Sequence, residues 1–95
     1  MVVTNRFFLK KYTLSNTYIP ISQIIGRDFV NAIYIYSPVN FKITAGDTAG
    51  DDEIIIPPSE YWGERLENLD MTNIYVSSAS DNVTDQDYIN IEYWG

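Results

Sequence analysis

Carboxylates are the residues whose type and clustering most directly suggest chemistry. Seven of them fall in the polar stretches GDTAGDDE and SDNVTDQD, namely Asp47, Asp51, Asp52, Glu53, Asp81, Asp85 and Asp87. Carboxylates beside loop carbonyls are typical calcium ligands, but neither stretch has the spacing of the helix-flanked calcium loop. Asp and Asn also favour turns, because their side chains hydrogen-bond to nearby backbone. We therefore predict turns and no metal site, with calcium binding as the alternative.

A further acidic stretch surrounds Trp62, with Glu60, Glu64, Glu67 and Asp70 spaced along it. A glycosidase needs two carboxylates facing each other across a cleft, which a domain of 95 residues rarely supplies. Histidine and cysteine are absent, and this removes the usual general base, zinc ligand and partner of a nucleophile. Glycine-rich phosphate loops and nucleophile elbows are also missing. The sequence predicts no enzyme, no catalytic residues and no cofactor.

The charge balance also restricts the partners. Thirteen acidic residues against six basic ones give a net charge of −7, which would repel a phosphate backbone and disfavours nucleic-acid binding. No apolar run approaches the roughly 20 residues that span a bilayer, so no membrane partner is expected. No basic segment followed by a long apolar core opens the chain, so no signal peptide is predicted.

Alternating apolar and polar residues dominate the chain, and this period of two is the pattern of half-buried strands. Extended segments are predicted at residues 2–14, 17–25, 29–36, 39–44, 54–56, 72–77 and 87–94. Turn residues separate them at short intervals, as in sandwiches and open barrels. The predicted fold class is all-β, a small antiparallel β-sandwich or jelly-roll-like single domain over residues 1–95, with about six to eight short strands.

Three segments depart from regular strands. Pro20 cannot donate to a ladder, so residues 17–25 are predicted as an edge strand or an irregular extended segment. In residues 2–14 the apolar Val3, Phe7 and Leu9 share one parity, with Phe8 breaking the pattern. Residues 1–25 together are predicted to be an extended arm or an edge strand. Residues 59–69 are predicted to form at most one short helical turn, capped by Ser59.

Strand parity separates the aliphatic residues from the aromatic ones. The residues predicted to fill the core are Ile33, Ile35, Phe41, Ile43, Ile74, Val76, Ile89 and Ile91. Successive side chains of a strand point to opposite faces, so the aromatic neighbours must point outward. These predicted partner-binding residues are Tyr34, Tyr36, Tyr75, Tyr88 and Trp94. Alternatively, the rings only stabilise the sheet as cross-strand pairs, or they form a platform for sugars.

The segment from Phe29 to Gly95 resembles the small all-β structural proteins of tailed-phage virions. The resemblance lies in the stretches NAIYIYS, FKITAG, IIIPP, NIYVSSAS and DYINIEYWG, which extend over about two-thirds of the chain. It implies a role in capsid decoration, head–tail joining or fibre anchoring, but it carries no individual functional residue.

We therefore expect a non-enzymatic virion structural protein, assembled in the host cytoplasm, that acts by protein–protein contacts. Its partners would be capsid, portal or tail subunits or further copies of itself, as a homo-oligomer or in many copies. One alternative is a carbohydrate-binding module that uses the surface aromatic residues. A second is an acidic inhibitor that mimics DNA.

Overall fold

Short strands make up most of the computed structural model, which describes residues 7–46 and 52–95. In chain order, the elements are β1 (Phe7–Thr13), β2 (Ile19–Pro20), α1 (Ile21–Ile25), β3 (Phe29–Tyr36), β4 (Phe41–Ala45), β5 (Ile54–Ile56), β6 (Tyr61–Asp70), a 3₁₀ turn (Met71–Asn73), β7 (Ile74–Ser78) and β8 (Tyr88–Trp94). The predicted strand number is confirmed for these residues.

The strands form two four-stranded antiparallel sheets. The front sheet has the order β1-β8-β3-β6 and the back sheet the order β2-β7-β4-β5. Strands β3 and β4 follow each other in the chain but belong to different sheets, so residues 37–40 form a corner between them. The predicted all-β sandwich architecture is confirmed.

The core lies between the sheets and follows the predicted parity. All eight residues assigned to it from the sequence are at most 7% exposed. They are Ile33, Ile35, Phe41, Ile43, Ile74, Val76, Ile89 and Ile91. Alternation therefore sets which face of each of these strands is buried, and the intervening residues face outward.

Residues 17–25 correct one prediction. Only Ile19 and Pro20 are extended, at the edge of the back sheet as expected for a proline, and Ile21–Ile25 form the helix α1. Ile21 and Ile24 lie three positions apart, so a helical turn buries both of them on one face. Gly26 ends the helix in a left-handed conformation with φ 73°, and its N–H donates to the Ser22 carbonyl at 2.9 Å.

The helical turn predicted within residues 59–69 is wrong. That segment forms β6, which pairs with β3 along the edge of the front sheet. Trp62 and Leu69 pack partly buried against the core, whereas Leu66 is 64% exposed and shares no buried face with them. The apolar spacing resembled a helix because β6 contains a bulge between these two inward residues.

The bulge lies opposite Asn31 of β3. Three residues of β6, Leu66 to Asn68, span the same interval as this one residue, between the pairs Ala32–Arg65 and Val30–Leu69. Asn68 has φ 56°, and its N–H donates to Asn31 Oδ1 at 3.1 Å. Bulges of this kind bend and twist a strand and interrupt its pairing.

Strand β1 reverses the predicted parity. Phe8 and Tyr12 pack against the core, and Leu9 is 66% exposed. Phe8 is opposite Tyr93 in the register, and the two rings stack with centroids 5.1 Å apart, which fixes the inward face. The predicted arm falls partly on residues 1–6, which include Val3 and lie outside the described residues.

Candidate functional site

Aromatic side chains occupy the outer face of the front sheet, where they alternate with the buried isoleucines of β3 and β8. In the register, Tyr34 lies between Glu92 and Gly63, and Tyr36 lies between Asn90 and Tyr61. We call the aromatic part of this surface the tyrosine face, which consists of Tyr34, Tyr36, Tyr61, Tyr88 and Trp94. Tyr61 is 63% exposed and the other four are half-buried.

The Tyr34 ring is the centre of the tyrosine face. It makes edge-to-face contacts with Tyr61, at 5.4 Å between centroids, and with Trp94, at 5.8 Å. Such pairs contribute about 0.5–1.5 kcal/mol each beyond their burial. Because both neighbours hold Tyr34, its orientation is fixed before any partner binds.

Gly63 allows the Tyr34 ring to lie directly on β6. A Cβ atom at position 63 would approach Tyr34 Cδ1 to 2.3 Å and Tyr61 Cε2 to 3.1 Å. Glycine inside a strand commonly marks such a close approach, and an aromatic ring above it restores the missing packing. The glycine therefore shapes the tyrosine face without contributing a side chain to it.

Polar groups hold the remaining rings. The Tyr36 hydroxyl donates to Glu92 Oε2 at 2.6 Å. This hydrogen bond, followed by burial and by the charge of Glu92, raises the pKa of the Tyr36 phenol above its ordinary value. Nearer the β1 edge of the sheet, Lys11 Nζ lies 4.0 Å from the centre of the Tyr88 ring in a cation–π contact.

The raised pKa of Tyr36 predicts a loss of stability at alkaline pH. The neutral phenol is the form that donates to Glu92, and an unfolded tyrosine ionises near pH 10. The contribution of Tyr36 to stability is therefore complete below pH 10 and disappears as the pH rises through its higher folded pKa. Burial and the Glu53 carboxylate raise the pKa of Tyr18 to about 12, so this residue acts in the same direction.

Urea melts on either side of pH 10, together with tyrosinate absorbance, test this prediction. The absorbance difference between the wild type and Tyr36→Phe isolates the Tyr36 titration, which we expect above pH 10. Glu92→Gln should move it back toward the ordinary value, and Glu64→Gln is the control of equal charge. Ionisation of Tyr36 at or below its ordinary pKa would contradict the assignment.

A shallow pocket of about 380 Å³ lies beside Tyr34 at the edge of the tyrosine face. Its lining is Tyr34, Tyr36, Pro58, Ser59, Glu60, Tyr61 and Glu92. The turn before β6 supplies one wall and is closed by the Glu60 N–H, which donates to the Pro57 carbonyl at 3.0 Å. Three phenol rings and two carboxylates therefore border one concave site.

The five residues assigned to a partner surface from the sequence do not form one patch. Tyr34, Tyr36, Tyr88 and Trp94 share the outer face of the front sheet. Tyr75 belongs to the back sheet, where it pairs with Thr44 and Pro20. Parity predicts inside or outside for each strand, but it does not indicate which of two sheets the strand joins.

Sequence reasoning missed several contributors to the site. Tyr61 and Gly63 fall within the segment that was predicted to be a helical turn. Their spacing of two, with Arg65 following on the same face of β6, is a strand signal that could have revealed them. Glu92 alternates with the inward-facing Ile91 and Tyr93 on β8, so the same period of two places it on the face of Tyr88 and Trp94.

The acidic loop of residues 79–87 serves a structural purpose. Asp87 is only 6% exposed, and its carboxylate accepts hydrogen bonds from Ser78 Oγ at 3.2 Å and from the Thr84 N–H at 2.8 Å. Asp81 and Asp85 are exposed. In the other acidic loop, Asp47 and Asp51 lie outside the described residues, and Glu53 pairs with Lys42 at 3.8 Å.

Comparison of the chain with protein-family models, with curated proteins and with solved structures finds no match. Among residues 7–46 and 52–95, no helix has the length and apolar character needed to cross a membrane. Within the same ranges, no cluster of three or more His, Cys, Asp or Glu side chains could hold a metal ion. The candidate functional site on the described surface is therefore the tyrosine face with its pocket.

Proposed function

We propose that the protein is a non-enzymatic structural component of a virion, such as a capsid decoration or head–tail accessory protein. It acts by protein–protein contacts through the tyrosine face. The observation that carries the proposal is the cluster of Tyr34, Tyr36, Tyr61 and Trp94 on the outer face of one sheet. The resemblance of residues 29–95 to small phage structural proteins is the reason for proposing a virion as the assembly.

Tyrosine and tryptophan are suited to this role for a physical reason. They are enriched at protein interfaces because each ring buries a large area while it loses few rotamers. Here the ring contacts of Tyr34 and the hydrogen bond of Tyr36 to Glu92 already restrict the side chains. Binding then costs less conformational entropy, because the surface is ordered before contact.

A structural role also agrees with the weak individual contacts that such a face offers. A particle presents many identical sites, and linked copies gain avidity without any new contact. Because each copy contributes one tyrosine face, this gain requires the copies to be linked, as in a homo-oligomer, and modest binding at each site then gives a firmly decorated shell. The partner can equally be a second copy of this chain, which would make the protein a homo-oligomer.

Co-sedimentation with particles tests the proposal. The protein is co-expressed with the structural proteins encoded by the neighbouring genes, and assembled particles are collected by centrifugation. We expect the wild type to sediment with them and a Tyr34→Ser, Tyr36→Ser and Tyr61→Ser variant to lose at least about 100-fold in affinity, since interface tyrosines are frequent hot spots.

Tyr75→Ser is the matched control, because Tyr75 is also half-buried but faces outward from the back sheet. This variant should sediment with particles as the wild type does. Thermal melts of both variants show whether they remain folded. Equal loss in the control, or no association of the wild type with any particle, would reject the proposal.

A carbohydrate-binding module is the second candidate, and the pocket is the observation that favours it. Sugars bind where aromatic rings meet a few convergent polar groups, and Glu60 and Glu92 lie beside Tyr34, Tyr36 and Tyr61. Glycan-array binding that disappears in the same triple variant, without particle association, would favour this candidate.

A further inference from the structure

The pocket beside Tyr34 has an electrostatic character that narrows the choice of partner. Its two charged lining residues, Glu60 and Glu92, are both carboxylates, and no lysine or arginine lines it. Among the described residues, the ion pair within 4.0 Å joins Lys42 to Glu53, so neither pocket carboxylate is neutralised by a basic side chain. Two negative charges are thus available beside an aromatic surface.

The aromatic walls of the pocket also favour a positively charged ligand. The face of a tyrosine ring is electronegative, and cations within about 6 Å of a ring centre are attracted to it. Tyr34, Tyr36 and Tyr61 all line the pocket, and Tyr34 and Tyr61 meet at 71°. Because these two rings meet edge to face, they do not form a flat stacking platform.

The protein already uses this type of contact elsewhere on the front sheet. Lys11 Nζ lies over the Tyr88 ring at 4.0 Å, and the Arg27 guanidinium lies 5.4 Å from the Phe8 ring centre. The pocket provides rings and carboxylates but has no cation of its own among the described residues. Its volume of about 380 Å³ is near the lower end for ligand pockets, so it fits one long side chain.

We infer that the pocket accepts the guanidinium group of an arginine from the partner protein. This inference rests on the proposed function, because it specifies which partner residue docks at the tyrosine face. The planar guanidinium stacks on a phenol ring while its N–H groups donate to carboxylate oxygens. Glu60 and Glu92 are the acceptors, and the Tyr36 hydroxyl, which donates to Glu92 Oε2, holds that carboxylate in place.

A pair of small peptides tests the inference on the intact protein. Ac-Gly-Arg-Gly-NH₂ is titrated into labelled protein at low salt and followed by the NMR resonances of the tyrosine rings and of β3, β6 and β8. The neutral isostere Ac-Gly-citrulline-Gly-NH₂ is titrated in parallel. We expect saturable shifts around the pocket with a Kd of about 1–10 mM for the arginine peptide and at least tenfold weaker binding for citrulline.

Two double variants that each remove two negative charges show whether the arginine peptide binds in the pocket. Glu60→Gln combined with Glu92→Gln should abolish saturation by the arginine peptide, because Gln keeps the shape and removes both charges. The control combines Glu64→Gln with Glu67→Gln, two exposed carboxylates of β6 that do not line the pocket, and should bind as the wild type does. Equal loss in both double variants would show attraction to the general negative charge and would overturn the inference.

Three other outcomes would also overturn it. The first is that the arginine peptide causes no saturable shifts, and the second is that the citrulline peptide binds equally well. The third is that a neutral oligosaccharide such as cellotriose occupies the pocket while the arginine peptide causes no shifts. The last of these would favour the carbohydrate candidate. If the triple tyrosine variant loses particles while Glu60→Gln with Glu92→Gln keeps them at full affinity, the tyrosine face remains the contact surface and only the arginine pocket fails.

Discussion

Replacing Phe41 by alanine is expected to lower the free energy of unfolding by about 3–5 kcal/mol. Phe41 is 0% exposed and is among the largest fully buried side chains of the described residues. It lies on β4 between β5 and β7, so its loss leaves a cavity that neighbouring strands cannot fill without moving. Urea unfolding monitored by circular dichroism measures the change.

The total stability of a 95-residue domain is on the order of 5–14 kcal/mol, so this single change could remove much of it. Phe29→Ala is the matched control, because it is the same substitution at a side chain that is 54% exposed. We expect less than about 1 kcal/mol there. Similar losses in both variants would mean that Phe41 is not in the core.

Asp87→Ala is expected to cost about 2–4 kcal/mol, because it leaves several donors unsatisfied at a buried site. The carboxylate accepts from Ser78 Oγ at 3.2 Å, from the Thr84 N–H at 2.8 Å and from Thr84 Oγ1 at 3.4 Å. These bonds attach the loop between β7 and β8 to the end of β7. Urea melts of the variant and the wild type, compared at neutral pH, provide the measurement.

Two variants separate the role of Asp87 from the general acidity of its loop. Asp85→Ala removes an exposed carboxylate two positions away and should change stability by less than about 0.5 kcal/mol. Asp87→Asn keeps one acceptor oxygen and should lie between the wild type and Asp87→Ala. A loss at Asp85 as large as the loss at Asp87 would contradict the hydrogen-bond account.

Strand parity was the part of the fold that could be predicted well. Ile33 and Ile35 on β3, and Ile89 and Ile91 on β8, are buried because their alternation with polar and aromatic residues leaves only one face apolar enough to bury. The same rule places Tyr88 and Trp94 on the outer face of β8. Local periodicity decides these questions, so a single sequence is sufficient.

The remaining features depend on contacts between distant segments. Leu9 points outward because Phe8 stacks on Tyr93, which is separated from it by most of the chain. The helical interpretation of residues 59–69 failed because the bulge in β6 changes the apolar spacing, and this bulge exists only opposite Asn31. The spacing of Tyr61, Gly63 and Arg65 indicates a strand, but periodicity alone does not reveal the bulge or the strand with which β6 pairs.

The candidate site also combines features set by local periodicity with features set by contacts between distant segments. The outward positions of Tyr34 and Tyr36 follow from β3 itself, whereas the pocket also requires Tyr61 and Glu60 from a different part of the chain. Tyr75 has the same local pattern as Tyr34, yet its strand joins the other sheet. Sheet membership is a tertiary property, and it decides which exposed rings can act together.

The interruption of β6 opposite Asn31 also limits how crowded copies can aggregate. An uninterrupted edge strand has a row of unpaired N–H and C=O groups with which a strand of another molecule can pair, and fibrils grow by this route. Here the extra residues from Leu66 to Asn68, with Asn68 at φ 56°, break the repeat that an incoming strand would need to match. At the opposite border, Lys10 and Lys11 on β1 add like charges that repel a second copy. Both borders of the front sheet therefore disfavour strand-by-strand polymerisation into amyloid.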